Sequence, residues 1–257
     1  MSQKIKQSKK SNCVDYFDFS SDMYDDCETV EEKIHLLGEY VLKNMKLIIG
    51  DSDNEFSLEE VEIYYTSKDH NDLYTHRDKD QLKNCTWYFH KYKTGSYKSG
   101  TYKGLDITFG NNKNIYGGIL IRAISNLDND KMVIGPCNVV NYILELTEQS
   151  DISHLIENEM STLDIFDTDN IFYLKKDKNY YDEDVFRGPR VGLSLKYPEY
   201  LFKEYRFLKQ PNKIPKYKNT IVTTLHKNGT KKEDIHKTTG INKACIEKFI
   251  KEFSEGK

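Results

Sequence analysis

Two runs decide the fold: Glu59-Glu60-Val61-Glu62-Ile63-Tyr64-Tyr65 and Gly117-Gly118-Ile119-Leu120-Ile121-Arg122. In the first, Val61, Ile63 and Tyr65 alternate with Glu62 and Tyr64, the period-two pattern of a strand with one apolar face. The second is a β-type run that follows a glycine pair and ends on a guanidinium. A carboxylate and a guanidinium on otherwise apolar strands are costly to bury unless each is paired or used. Chemistry is therefore expected around these two strands.

Upstream of them, Thr29 to Lys46 reads as a helix. Thr29 and Glu32 form a capping box, and Val30, Ile34, Leu37, Val41 and Met45 recur at helical spacing. Leu47 to Gly50 is a strand and its stop. Between the two runs, Cys85 to Tyr92 is an aromatic strand, and Tyr97 to Phe109 pairs with Ile115 to Ile124 across the turn residues 110–114. Downstream come helices over Asn138–Leu146 and Asp151–Glu159, then strands over Ile171–Leu174, Arg190–Leu195 and Tyr205–Leu208. Strands mixed with a few helices, without regular βαβ alternation, predict an α+β fold with a mainly antiparallel sheet and flanking helices.

The ends differ from this body. Residues 1–28 are polar and read as a disordered tail. Residues 29–208 make the α+β domain, and residues 209–219, with two prolines and four lysines, a linker. Residues 220–257 predict three short helices, Thr220–Lys227, Lys231–Thr238 and Asn242–Phe253, with a glycine turn before the last pair member as in a helix-turn-helix. The net charge of the 257 residues is -3, but residues 211–257 hold 11 Lys against 5 Asp and Glu. A basic unit on an acidic body suits a polyanion. Asn242, Lys243 and Lys248 on the last helix are the candidate recognition residues; a protein-docking cap is the other use of such a unit.

Several classes are excluded. The five cysteines are scattered, without CxxC spacing, which argues against a zinc site or a disulfide framework. No apolar run reaches the roughly 18 residues of a membrane span, and Met1-Ser2-Gln3-Lys4 opens no signal peptide. His76-Arg77-Asp78 lacks the asparagine seven positions after the histidine that a kinase catalytic loop needs. There is no phosphate-binding glycine loop and no GxSxG elbow. No spacing among His70, His76, Asp78 and His90 enforces a metal site, so neither metal nor other cofactor is expected.

Val61-Glu62-Ile63-Tyr64, then Asp69 and His76, then Gly95, Tyr102-Lys103-Gly104 and Ile119-Leu120-Ile121-Arg122-Ala123 resemble, in order, the landmarks of the alkyladenine (3-methyladenine) DNA glycosylase family. Gly135-Pro136 and Arg190-Val191-Gly192 continue the likeness. The resemblance implies a curved sheet and hydrolysis of the N-glycosidic bond of a flipped, modified purine. On it, Glu62 would activate the water, Arg122 would help place that water, and Tyr64 and His76 would wall the base pocket. Tyr102 would fill the gap in the duplex beside Lys103, which stands where the family has glycine. No lysine nucleophile is implied. The expected partner is double-stranded DNA, bound by a monomer inside the cell, in the nucleus if the source is eukaryotic. A catalytically silent nucleic-acid-binding protein on the same fold is the alternative.

Overall fold

The computed structural model describes residues 13–51, 53–177 and 183–254. Nine antiparallel strands form one sheet. They are β1 (Met45–Ile49), β2 (Glu55–Thr66), β3 (Asn84–Phe89), β4 (Leu105–Phe109), β5 (Tyr116–Asn126), β6 (Met132–Ile134), β7 (Phe172–Lys176), β8 (Phe186–Gly188) and β9 (Arg206–Leu208). The helices are α1 (Val30–Asn44), α2 (Pro136–Leu146), α3 (Ile152–Glu159), α4 (Pro198–Leu201), α5 (Lys218–Lys227), α6 (Lys232–Thr239) and α7 (Lys243–Ser254). The expected α+β fold, with an antiparallel sheet, flanking helices and a C-terminal three-helix unit, is the one observed.

β2 is the hub. It pairs with β5 along its length on one side. On the other, β1 takes its first half and β9 its second. A bulge interrupts the β2–β5 register between Leu58 and Glu60, and a compensating one follows before Val61. An extra residue reverses which parity faces which way. Phe56 and Leu58 therefore share the main core with Val61, Ile63 and Tyr65. The same switch turns Glu60, Glu62 and Tyr64 together onto the opposite face.

The main core lies on the apolar side, where α1 and α2 add Ile34, Leu37, Val41, Val139, Val140 and Ile143. α1 opens on the expected capping box, Thr29 with Glu32. It can lie close because Gly38 has no side chain; a Cβ there would stand 2.6 Å from the Phe207 ring. On the other face, Ile221 of α5 packs with Ala123, Leu208 and Ile214, docking the helical unit on the sheet. Val222, Ile235 and Ile246 hold its three helices to one another.

Four expectations need correction. Residues 13–28, read as part of a disordered tail, fold into 3-10 turns whose Phe17 and Tyr24 are buried; aromatic side chains gain more from the core than the acidic neighbours lose. Residues 1–12 lie outside the described residues. The 209–219 stretch, read as a linker, is packed: Ile214 is buried and Lys209 donates to Ser57 Oγ at 2.7 Å. Residues Arg190–Leu195, read as a strand, are irregular, and the strand is β8, just upstream. The strand expected over Tyr97–Phe109 also begins only at Leu105, after a 3-10 turn at Gly100–Tyr102.

Candidate functional site

The polar face of β2 carries a network of buried ions. Arg122, from β5, donates through Nε to Glu60 Oε1 at 2.9 Å and through Nη1 to Glu62 Oε2 at 3.3 Å. The Tyr64 hydroxyl donates to the same Glu62 oxygen at 2.8 Å, and the Val191 N–H to Oε1 at 2.6 Å. Arg206, from β9, donates through Nε to Glu60 at 2.7 Å, and its other nitrogens reach the Tyr217 and Lys216 carbonyls at 3.3 and 3.4 Å. Two glutamates and two arginines thus balance in charge, the condition under which buried ions offset their desolvation. Burial opposes the charge on Arg122, but Glu62 and Glu60 outweigh it and its pKa is raised. Burial, and then the Glu62 carboxylate, holds the Tyr64 hydroxyl well above its ordinary range.

A strap from residue 189 to 197 covers this network. Arg190 Nη1 donates to Asp72 at 2.5 Å and to the Ile63 carbonyl at 3.1 Å, and its guanidinium lies 4.4 Å from the Tyr64 ring centroid. Glu62 is fully buried beneath it. Glu62, Arg122 and Tyr64, singled out by sequence, are therefore brought together.

His76 is not with them. It stands across the same face with residues that sequence reading did not single out as a site. Register places Glu62 opposite Leu120, Leu120 opposite Asp106, and Asp106 opposite Tyr88. Two strand spacings, about 10 Å, thus separate the Glu62 and Asp106 backbones. Asp106 Oδ1 lies 2.7 Å from His90 Nε2, and Gln81 Nε2 donates to Oδ2 at 3.2 Å. The His76 ring packs edge-on to His90 with centroids 4.4 Å apart. Its Nδ1 and Nε2 lie 3.4 Å from the Tyr88 hydroxyl and from Lys98 Nζ. An ammonium has no acceptor, so His76 Nε2 must be the bare nitrogen. Gly118 sits between the two walls, opposite Tyr64. A Cβ there would come within 2.6 Å of Asp106 Oδ2 and 2.7 Å of Gln81 Nε2.

The other candidates are placed as follows. Tyr102 is 70% exposed beside this wall, free to meet a ligand. Lys103 donates to Asn141 at 2.8 Å. In the three-helix unit, Asn242 is spent as the cap of α7, accepting from the Cys245 N–H at 2.8 Å. Lys243 pairs with Glu233 at 3.4 Å and Lys248 with Glu252 at 3.8 Å; such exposed pairs are weak and exchange readily with a phosphate. Among the described residues, no group of three or more His, Cys, Asp or Glu is arranged to hold a metal ion. No helix among them is long and apolar enough to cross a membrane.

The histidines give the fold an acid limit. Burial first, then Arg187 near His35 and His90 beside His76, lowers the pKa of each to about 4. Burial likewise lowers His70. Unfolded histidines titrate near pH 6.5, so between about 6.5 and 4 the unfolded chain binds more protons. Stability is therefore expected to be level above pH 7 and to fall as pH drops through that window. Carboxylates with lowered pKa, such as Asp80, add their loss only below about pH 4. Urea midpoints at pH 7.5, 6 and 4.5 measure this; equal midpoints would contradict it.

No family model matches the chain. It is similar to the uncharacterized protein L759 of Acanthamoeba polyphaga mimivirus, 36% identical over 220 residues that span 80% of this chain and 95% of the viral protein. The chain belongs to the family of that protein.

Proposed function

We propose that this member of the mimiviral protein's family hydrolyses the N-glycosidic bond of a modified purine flipped out of double-stranded DNA. One observation carries the reading. Glu62, Arg122 and Tyr64, about 60 residues apart at the extremes, meet within hydrogen-bond reach on one face of the sheet. A base inside a duplex cannot be attacked, so it is flipped out at a cost of a few kcal/mol. Aromatic faces return about 1–3 kcal/mol per stacked base. A carboxylate offers about four acceptor positions and Glu62 uses three, leaving one for the attacking water. Exposed Tyr102 would occupy the duplex gap, and the basic three-helix unit would hold the phosphates.

The test is base release from duplexes carrying alkylated or deaminated purines. Wild type is expected to release a base, and Glu62→Gln to bind the same duplex without releasing it. If wild type releases nothing across a panel of purine lesions, the enzyme reading fails. The second reading, a silent nucleic-acid-binding protein, has its own support: Glu62 is wholly buried and its charge is balanced. It predicts duplex binding by wild type and mutant alike, without release.

A further inference from the structure

From Tyr205 to Lys232 the chain holds one arginine and seven lysines but no Asp or Glu. Beyond it, the lysines of α6 and α7 are interleaved with acids and spent on them. Lys232 pairs with Glu247, Lys237 with Asp234, Lys243 with Glu233 and Lys248 with Glu252. A phosphate arriving there must displace a carboxylate. Within the acid-free stretch, Lys209 donates to Ser57 and Lys218 to the Asn212 and Thr239 carbonyls. Lys213 and Lys216 are exposed and, among the described residues, in no ion pair. Their place on the fold is fixed. Between Pro211 and Pro215, whose rings hold the backbone, Ile214 is buried against Ala123, Leu208 and Ile221. Ala123 and Leu208 stand opposite Glu60 on the two neighbouring strands. Arg206 joins Glu60 to the Lys216 and Tyr217 carbonyls, and Tyr217 is held in the left-handed region at φ 58°. Glu62 is two residues farther along β2, about 7 Å. Lys227 stands at the other end of α5, about 14 Å from its start.

Resting on the reading that a nucleotide of duplex DNA is flipped toward Glu62, we infer that Lys213 and Lys216, rather than the lysines of α7, grip the duplex, and that they take the phosphodiesters flanking the flipped nucleotide. Both side chains rise from a proline-stiffened segment braced on the sheet beside Glu60, so little order is lost in meeting a phosphate. Neither has a carboxylate to give up first. The counterions released from the phosphates make the contact salt-dependent. The three-helix unit then serves to anchor this segment, through Ile221 and the Arg206 bonds, more than to read the groove. Asn242, spent as the cap of α7, agrees with that division of labour.

Fluorescence anisotropy of the full chain on a lesion-bearing duplex, between about 50 and 200 mM salt, tests this. Each phosphate contact adds about 0.9 to the slope of log affinity against log salt. Lys213→Ala combined with Lys216→Ala is therefore expected to lower the slope by about 1.8, so that wild type loses about 12-fold more affinity than the variant over that range. Lys243→Ala combined with Lys248→Ala is expected to leave the slope where it was. Uncharged methylphosphonates in place of the two phosphates flanking the lesion should weaken wild type and leave the Lys213/Lys216 double variant unmoved. Equal thermal unfolding midpoints show that the fold is kept. An unchanged slope for the Lys213/Lys216 variant, a larger change from the α7 pair, or equal weakening of wild type and variant by the methylphosphonates overturns the assignment. Wild type that shows the expected slopes but releases no base overturns the hydrolysis reading alone. Wild type that does not bind the duplex overturns both.

Discussion

Arg122→Ala should lower the unfolding free energy by about 3–5 kcal/mol, the cost of breaking a buried ion pair from one side. Arg122 is the cation that reaches Glu62, and it shares Glu60 with Arg206. Its loss leaves two buried carboxylates against one guanidinium. Glu62 then keeps only the Tyr64 hydroxyl and the Val191 N–H, neither charged. Glu62→Gln is a different perturbation. Its amide oxygen still accepts from Tyr64 or Val191, and Arg122 still pairs with Glu60. The cost there should be no more than about 1–3 kcal/mol, that of imperfectly satisfied buried hydrogen bonds. Urea unfolding at pH 7 separates the two. If Arg122→Ala proves no costlier than Glu62→Gln, the balanced-network account is wrong. The contrast also matters for chemistry, since it predicts that Glu62→Gln remains folded enough for a binding measurement.

How much of this could be read beforehand depends on how far apart partners lie in the chain. Alternation at Val61, Ile63 and Tyr65, and helical spacing from Val30, are local signals, and the elements they predict are present. The bulge at Glu59 is not local: it is visible only once β5 is laid against β2. Three glutamates in four residues hint that a strand must change phase, yet alternation alone cannot say where. Nothing local marks Glu60, whose partner Arg206 lies 146 residues away. Arg190 begins a stretch with a strand-like pattern, yet Asp72, 118 residues earlier, holds it in irregular chain. The His90–Asp106 pair was within reach. In Leu105-Asp106-Ile107-Thr108-Phe109 the apolar residues alternate with polar ones, as Trp87 and Phe89 alternate with Tyr88 and His90. Adjacent strands with a carboxylate and an imidazole on the same face are a pairing signal. The aromatic residues around Phe17 likewise outweighed the polar composition of the N-terminal stretch.

Arg190 offers the second large effect. Its side chain and that of Asp72 are both 0% exposed. Burial works against its charge, but the hydrogen bond to Asp72 and the neighbouring acidic groups outweigh it and raise its pKa. Its guanidinium also lies 5.4 Å from the Tyr205 centroid and 5.6 Å from that of Tyr74, so one flat cation is enclosed by three aromatic rings. Arg190→Leu strands Asp72 as an uncompensated buried charge and should cost about 3–5 kcal/mol. Lysine keeps the charge but not the planar fork that serves Asp72 and the Ile63 carbonyl together, so Arg190→Lys should lie between wild type and Arg190→Leu. The decisive comparison is the double variant with Asp72→Leu. Removing both ions leaves neither uncompensated, and it should be more stable than Arg190→Leu alone despite carrying one more substitution. Simple addition of the two single costs would show that the pair is not coupled. The residue next in sequence, Val191, gives its N–H to Glu62. Loosening Arg190 therefore frees the strap over the carboxylate, and Arg190→Lys should open Glu62 to water with less loss of fold than Arg190→Leu. Base release by Arg190→Lys is expected to change more than its stability does, because the neighbouring Val191 N–H is bonded directly to the Glu62 carboxylate.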